Sequence, residues 1–271
     1  MKTRLLPVLG LCLGFGALLM LAQLPAPNAA GVSAGHDIMI VKDLEGANRF
    51  WTALGAEPAQ LGTLKLIKLP GVLYLMRAYD TKGGTENKGG TEGSSVEYLG
   101  YKVKNLKETL AKMDAAGFKP MPGATSKRAL LLTPDAIKVR LSEDPKLTTP
   151  VASDMIQMDV PNVKEAQAWY EKWFGAKLVK DGNETLADIP GHRILFAEAK
   201  TPVAGTRGRA FDRIGLEVKN LEDQCKRLEG AGIKLDGKGY NKAKNMDLAV
   251  CLITDPWGTY IEMSEGLAAV K

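Results

Sequence analysis

Apolar residues recur along this chain with two periods. At helical spacing they form four one-sided stripes: Leu44, Ala47, Trp51 and Leu54; Leu106, Leu110 and Met113; Val163, Ala166, Tyr170 and Trp173; and Leu221, Cys225 and Leu228. Before each stripe lies a short segment of alternating character, over His36–Val41, Val96–Val103, Asp154–Val160 and Phe211–Val218. In the last of these, Ile214, Leu216 and Val218 share one face while Arg213, Gly215 and Glu217 share the other. One side of such a strand packs on a helix and the opposite side looks elsewhere. After each stripe the pattern predicts three more short strands, as at Leu248–Thr254 and Thr259–Ser264, with Asp255-Pro256-Trp257-Gly258 as the turn between them. The expected fold class is α+β, built from four βαβββ modules.

The chain also repeats itself. Gly100-Tyr101-Lys102-Val103-Lys104-Asn105-Leu106 returns as Gly215-Leu216-Glu217-Val218-Lys219-Asn220-Leu221, and Ala115-Ala116-Gly117-Phe118-Lys119 as Gly230-Ala231-Gly232-Ile233-Lys234, both at an offset of 115. Leu54-Gly55-Ala56 and Leu69-Pro70-Gly71 return as Phe174-Gly175-Ala176 and Ile189-Pro190-Gly191 at an offset of 120. A duplicated unit predicts two domains. The first covers 35–146, with modules at 35–80 and 96–145; the second covers 150–271, with modules at 153–199 and 211–265. Residues 81–95 hold Lys-Gly-Gly-Thr-Glu twice and no large apolar side chain, which reads as a flexible linker, with a lid as the alternative.

Lys2 and Arg4 precede an uncharged apolar run over 5–24 and then small residues ending in Val32-Ser33-Ala34. This order predicts a signal peptide over 1–34, cleaved after Ala34, and an exported, periplasmic or extracellular protein. An uncleaved membrane anchor is the alternative, weakened by Pro7, Gly10, Gly14 and Gly16. At 45% hydrophobic and 25% charged, the chain is neither disordered nor collagenous. Its net charge of +5 falls to +3 without Lys2 and Arg4, too mild and too evenly spread for a nucleic-acid partner. Cys225 and Cys251 can close a disulfide or pack as small apolar residues, and their spacing does not choose.

The four modules, the helix ends at Ala115–Phe118 and Gly230–Ile233, and above all Ile253-Thr254-Asp255-Pro256-Trp257-Gly258-Thr259-Tyr260-Ile261-Glu262 resemble the vicinal oxygen chelate superfamily, the glyoxalase, bleomycin-resistance and extradiol-dioxygenase group. Asp43-Leu44 ahead of Phe50-Trp51 and Leu54-Gly55 matches that family's opening helix. The resemblance implies paired modules forming a cupped sheet around a divalent metal. It implies His or Gln ligands from first strands and Glu from last strands, and a metal that polarises a carbonyl or stabilises an enediolate.

Carried over position by position, the match is incomplete. His36 falls on a first-strand ligand position and Glu262 on a last-strand one. The equivalents are Tyr98 and Arg140 in module two, Met155 in module three and Arg213 in module four, with the remaining positions near Tyr74 or Met76 and Ile194 or Phe196. Neither half has a full ligand set, and an arginine competes with a cation for the same carboxylate. The expectation is no cofactor; a divalent metal at His36 and Glu262 requires modules one and four to pair. His36 has a second reading as a residue near the start of a processed chain, and His192, after Pro190-Gly191, reads as a solvated or packing residue.

What remains is a basic and aromatic lining. Tyr98, Arg140, Arg213, Tyr260 and Glu262 are the candidate ligand-binding residues, suited to a carboxylate or phenolate. For Arg213 and Glu262 an internal brace is an equal alternative. The expected function is binding of a small organic, anionic molecule, as bleomycin-resistance proteins do by sequestration. The alternatives are a metal-dependent enzyme of glyoxalase or dioxygenase type, and an exported structural or partner-binding protein. No nucleic acid is expected as a partner, and a membrane only through an uncleaved leader.

Overall fold

Each apolar stripe becomes a helix where the chain supplies a start signal. Asp43, Asn105 and Asn162 are extended just before Leu44–Leu54 (α1), Leu106–Ala115 (α2) and Val163–Phe174 (α3), and their side chains accept first-turn amides. Before Leu221–Gly230 (α4), Asn220 makes no such cap; the Glu265 carboxylate takes the amides of Asn220 and Leu221 instead. Gly55 and Gly175 end α1 and α3 in the left-handed conformation. The stripe of α1 is rotated from its expected position: Phe50 is fully buried and Leu44 is 43% exposed.

The computed structural model describes residues 24–79, 87–267 and 270. Its strands are Val32–Ala34 (β1), His36–Val41 (β2), Glu57–Leu61 (β3), Leu64–Leu69 (β4), Val72–Ala78 (β5), Val96–Val103 (β6), Arg128–Leu132 (β7), Lys138–Glu143 (β8), Val151–Val160 (β9), Lys177–Asp181 (β10), Glu184–Ile189 (β11), His192–Glu198 (β12), Phe211–Val218 (β13), Leu235–Lys242 (β14), Ala249–Thr254 (β15) and Tyr260–Glu265 (β16). They form a sheet of order β14-β15-β16-β13-β2-β5-β4-β3, with β1 added on β13, and a second of order β10-β11-β12-β9-β6-β8-β7. Module two has two strands after its helix, not the expected three.

Module one therefore pairs with module four, and module two with module three. The repeats suggested pairing within each half and left a pairing of modules one and four open, and the sheet order shows the latter: a repeat identifies the unit, not the edge it meets. The meeting of β2 with β13 depends on a glycine. A Cβ at Gly215 would sit 1.3 Å from the His36 carbonyl oxygen, so no larger residue lets β13 come so close.

Two expected boundaries also shift. The signal over 1–34 falls largely outside the described residues, but its last part is inside the fold. β1 pairs antiparallel with β13, and Asn28 donates its side-chain amide to the Phe174 and Gly175 carbonyls. Of the expected linker over 81–95, residues 81–86 lie outside the described residues. Thr91, Ser94 and Ser95 are buried, and Ser95 Oγ is 2.8 Å from Thr259 Oγ1. Their hydroxyls find partners inside, which is why a polar, glycine-rich stretch packs rather than solvates.

One core joins the helix-facing sides of both sheets. α1 lies against α2; Trp51 stacks on Tyr74 at 4.9 Å and meets Tyr101 edge-on at 5.8 Å. α3 reaches module four in the same way. The Trp173 carbonyl accepts from Gln224 and Arg227, and Tyr170 donates its hydroxyl to Asp255 at 2.9 Å. Sheets thus join modules one with four and two with three, while helices join one with two and three with four. At the seam His192 is buried 3.2 Å from Asp37, and Tyr74 and Tyr101 share a hydroxyl hydrogen bond. No helix among the described residues is long and apolar enough to cross a membrane.

Candidate functional site

Pairing modules one and four brings His36 and Glu262 together. His36 Nε2 lies 2.8 Å from one carboxylate oxygen of Glu262, and Arg213 donates from Nη1 to the other. Arg213 also donates from Nε to Asp212 at 2.6 Å. The Tyr260 ring lies under two guanidinium groups, Arg213 at 4.8 Å and Arg207 at 4.7 Å. His36 and Glu262 are 4% and 8% exposed. Burial pushes the Glu262 carboxyl up, but the hydrogen bond and charge of His36 and then Arg213 outweigh it and hold the group at about 2. With Glu262 ionised and able only to accept, the proton of the pair sits on His36 Nε2.

This donor set does not fit a resident divalent metal. Both Glu262 oxygens and His36 Nε2 are committed to one another and to Arg213, and no group of three His, Cys, Asp or Glu suited to a metal occurs among the described residues. Nor do the remaining expected positions help. Tyr74, Met76, Ile194 and Phe196 turn into the core, because the side-chain period of a strand is two. Their neighbours Leu73, Leu75, Arg193 and Leu195 take the opposite face. Leu73, the register partner of His36, belongs to an apolar cluster with Leu61, Leu66, Leu248 and Leu267. Glu217 accepts the amides of Gly266 and Leu267 at 2.8 and 3.0 Å and so fixes Leu267 in that cluster.

The face of the second sheet is built differently. Arg140 on β8 lies 4.3 Å over the Tyr98 ring and donates from Nη2 to the Met155 thioether at 2.9 Å. Thioether sulfur is a weak acceptor. No carboxylate among the described residues pairs with Arg140. Its Nε, and the Tyr98 hydroxyl, are buried without a hydrogen-bond partner there. The guanidinium stacks on the ring and does not satisfy the hydroxyl. Burial pushes that hydroxyl up to about 12, with the Arg140 charge opposing, so it stays a neutral donor. Beside these groups is a cavity of about 340 Å³, lined among others by Arg128, Leu130 and Gln157.

The five candidate ligand residues thus divide between two sheets: Arg213, Tyr260 and Glu262 in one, Tyr98 and Arg140 in the other. Gln157 and Arg128 were missed. Gln157 is legible, since it lies two residues beyond Met155 on an alternating strand; Arg128 opens β7 after a turn-rich stretch and leaves no such signal.

Comparisons with known proteins agree with this architecture. The profile of the Glyoxalase/Bleomycin resistance protein/Dioxygenase superfamily matches residues 153–263. Glyoxalase I from Zea mays superposes with a TM-score of 0.67 at 12% identity, over 88% of this chain and 93% of that one. A provisionally assigned dioxygenase from Bacillus subtilis superposes with a TM-score of 0.61 at 13% identity, over 92% of this chain and 88% of that one. Comparison with curated proteins gave no match. The chain therefore shares the fold of these proteins over most of its length, and its residues 153–263 match the Glyoxalase/Bleomycin resistance protein/Dioxygenase superfamily.

Proposed function

We propose that this protein binds a small organic anion, without a metal, on the face formed by modules two and three. The observation that carries the reading is the half-buried Arg140 guanidinium without a carboxylate partner, beside the unpartnered Tyr98 hydroxyl at a cavity of about 340 Å³. A cation and a donor left unsatisfied in a poorly solvated place are costly, and a bound carboxylate or phenolate satisfies both. Leu130 and the Tyr98 ring offer apolar contact for the body of the molecule, and the Gln157 amide a further polar one. In the other sheet His36, Glu262 and Arg213 act as a brace in the place where the superfamily keeps a metal. Export is part of the proposal. Lys2, Arg4 and the apolar run over 5–24 support a leader, and the packing of Asn28 and β1 favours a cleavage point before residue 28 over one after Ala34.

Native mass spectrometry with elemental analysis of the purified full chain tests the reading, followed by calorimetric titration with a panel of aromatic and aliphatic carboxylates. The expected result is no stoichiometric metal and a carboxylate that binds wild type about tenfold or more tightly than Arg140→Gln. The convergence of His36 and Glu262 favours a second reading, a metal-dependent enzyme of glyoxalase or dioxygenase type. One divalent metal per chain, lost in His36→Ala or Glu262→Ala, would establish that reading and sink the first. Equal behaviour of wild type and Arg140→Gln toward every anion would instead favour a structural or partner-binding protein.

A further inference from the structure

We propose that the anion bound beside Arg140 is a hydroxycarboxylate, whose carboxylate meets Arg140 and Tyr98 and whose hydroxyl donates to the side-chain oxygen of Gln157. This rests on the ligand reading above and names the class of molecule that the site selects. The polarity of Gln157 carries it. Its Nε2 donates to Asp159 Oδ1 at 2.9 Å. A carboxylate only accepts, so turning the amide over would set two acceptors against each other. Oε1 is therefore the free end of the group. It accepts no hydrogen bond among the described residues, and Gln157 lines the cavity of about 340 Å³.

Strand register places this acceptor beside the two donors. Tyr98 and Gln157 are partners in the ladder of β6 with β9, and Gly100, two residues on, is the partner of both Arg140 on β8 and Met155 on β9. Residues two apart on a strand share a face, so these side chains stand on one side of the sheet. Gly100 leaves the lane between them open. A Cβ there would come 2.9 Å from Met155 Cγ, and across this gap Arg140 donates to the Met155 thioether. The result is a site of mixed polarity: Arg140 Nε and the Tyr98 hydroxyl are donors without a partner among the described residues, and Gln157 Oε1 is an acceptor without one.

That mixture discriminates between anions. A plain carboxylate satisfies the donors and leaves Gln157 Oε1 facing its apolar body, while a keto, ether or second carboxylate oxygen at that point sets acceptor against acceptor. A hydroxyl can donate and satisfies both ends. Arg128 offers a second carboxylate a partner, but it is exposed, where water weakens an ion pair. Asp159 is a positioning residue here, acting only through the orientation of the Gln157 amide.

The test is calorimetric titration of the full chain with benzoate, meta- and para-hydroxybenzoate, the corresponding methoxybenzoates, isophthalate, phenylacetate and mandelate. At least one hydroxy acid should bind wild type about threefold to tenfold more tightly than its hydroxyl-free and methoxy counterparts. In Gln157→Met that advantage should vanish while the hydroxyl-free acids keep their affinity. In Asp159→Ala, where nothing fixes the amide, the hydroxy-to-methoxy ratio should fall toward one. Arg140→Gln should weaken every acid. If no acid prefers its hydroxy form, if isophthalate binds most tightly, or if the preference survives in Gln157→Met, the inference is overturned, while dependence on Arg140 leaves the ligand reading standing. If every acid binds wild type and Arg140→Gln alike, the ligand reading fails and this inference with it. The wild-type ranking needs no variant, so misfolding of a variant does not shield the proposal.

Discussion

Glu262 has two partners, and substitution separates what they do. Its folded value of about 2 lies below the ordinary carboxylate value of about 4.3, so its stabilising contribution is full above about pH 4.3 and disappears as pH falls toward 2. In Glu262→Gln that acid-side loss, on the order of 3 kcal/mol, should be absent from urea unfolding measured across this window. An unchanged acid slope would mean that the brace does not form in solution. The two arginines make a contrast. Arg213→Met leaves Glu262 buried with one partner fewer and should lower stability by about 2–4 kcal/mol. Arg140→Met removes a cation that has no carboxylate partner and should leave Tm unchanged or higher. A loss in Arg140→Met equal to that in Arg213→Met would show that Arg140 has an internal counter-charge. At this scale the chemistry of Arg140, Arg213 and Glu262 was legible from residue type and strand parity. Which of them meet was not, because contact depends on which strands become neighbours.

The turn Asp255-Pro256-Trp257-Gly258 shows how an element carries its own pH dependence. Asp255 Oδ1 accepts the amides of Trp257 and Thr259 at 3.0 and 2.7 Å, and Oδ2 accepts from Tyr170. Burial is the largest influence on the carboxyl and raises it to about 6 despite these donors. The folded state therefore holds a proton there that the unfolded chain, at about 3.9, gives up. Its contribution is full below about pH 3.9 and is lost as pH rises through 6. Asp255→Asn keeps an acceptor for both amides and should remove that decline, of about 2–3 kcal/mol, from the pH profile of Tm or urea midpoint. A decline that persists in Asp255→Asn would assign it to another group. This turn was readable because Asp, Pro and Gly each have a fixed job in it. The missing third strand of module two was not, since its stretch over 118–127 differs from a strand only in how the turns fall, and the repeat suggested regularity.

For the whole molecule the connections form a closed ring. Sheets link modules one to four and two to three, through β2 with β13 and β6 with β9. Helices link one to two and three to four, with Trp51 against Tyr101 across the first joint and Tyr170 bonded to Asp255 across the second. The repeats made the modules legible and their number certain, but ring closure is a property of long-range pairing that periodicity does not encode. No cut between modules leaves both kinds of joint intact, and one core runs through all four. Cooperativity follows from that. Calorimetric unfolding of the full chain should be a single transition in which the calorimetric and van't Hoff enthalpies agree, not the two transitions of tandem domains. Cutting at the midpoint, after Leu147, should yield fragments that are each unfolded alone, because each holds one partner of both sheets. Mixed and refolded together, they should regain the circular dichroism of the intact chain. Two resolved transitions, or a half that folds by itself, would show that the halves are autonomous units after all.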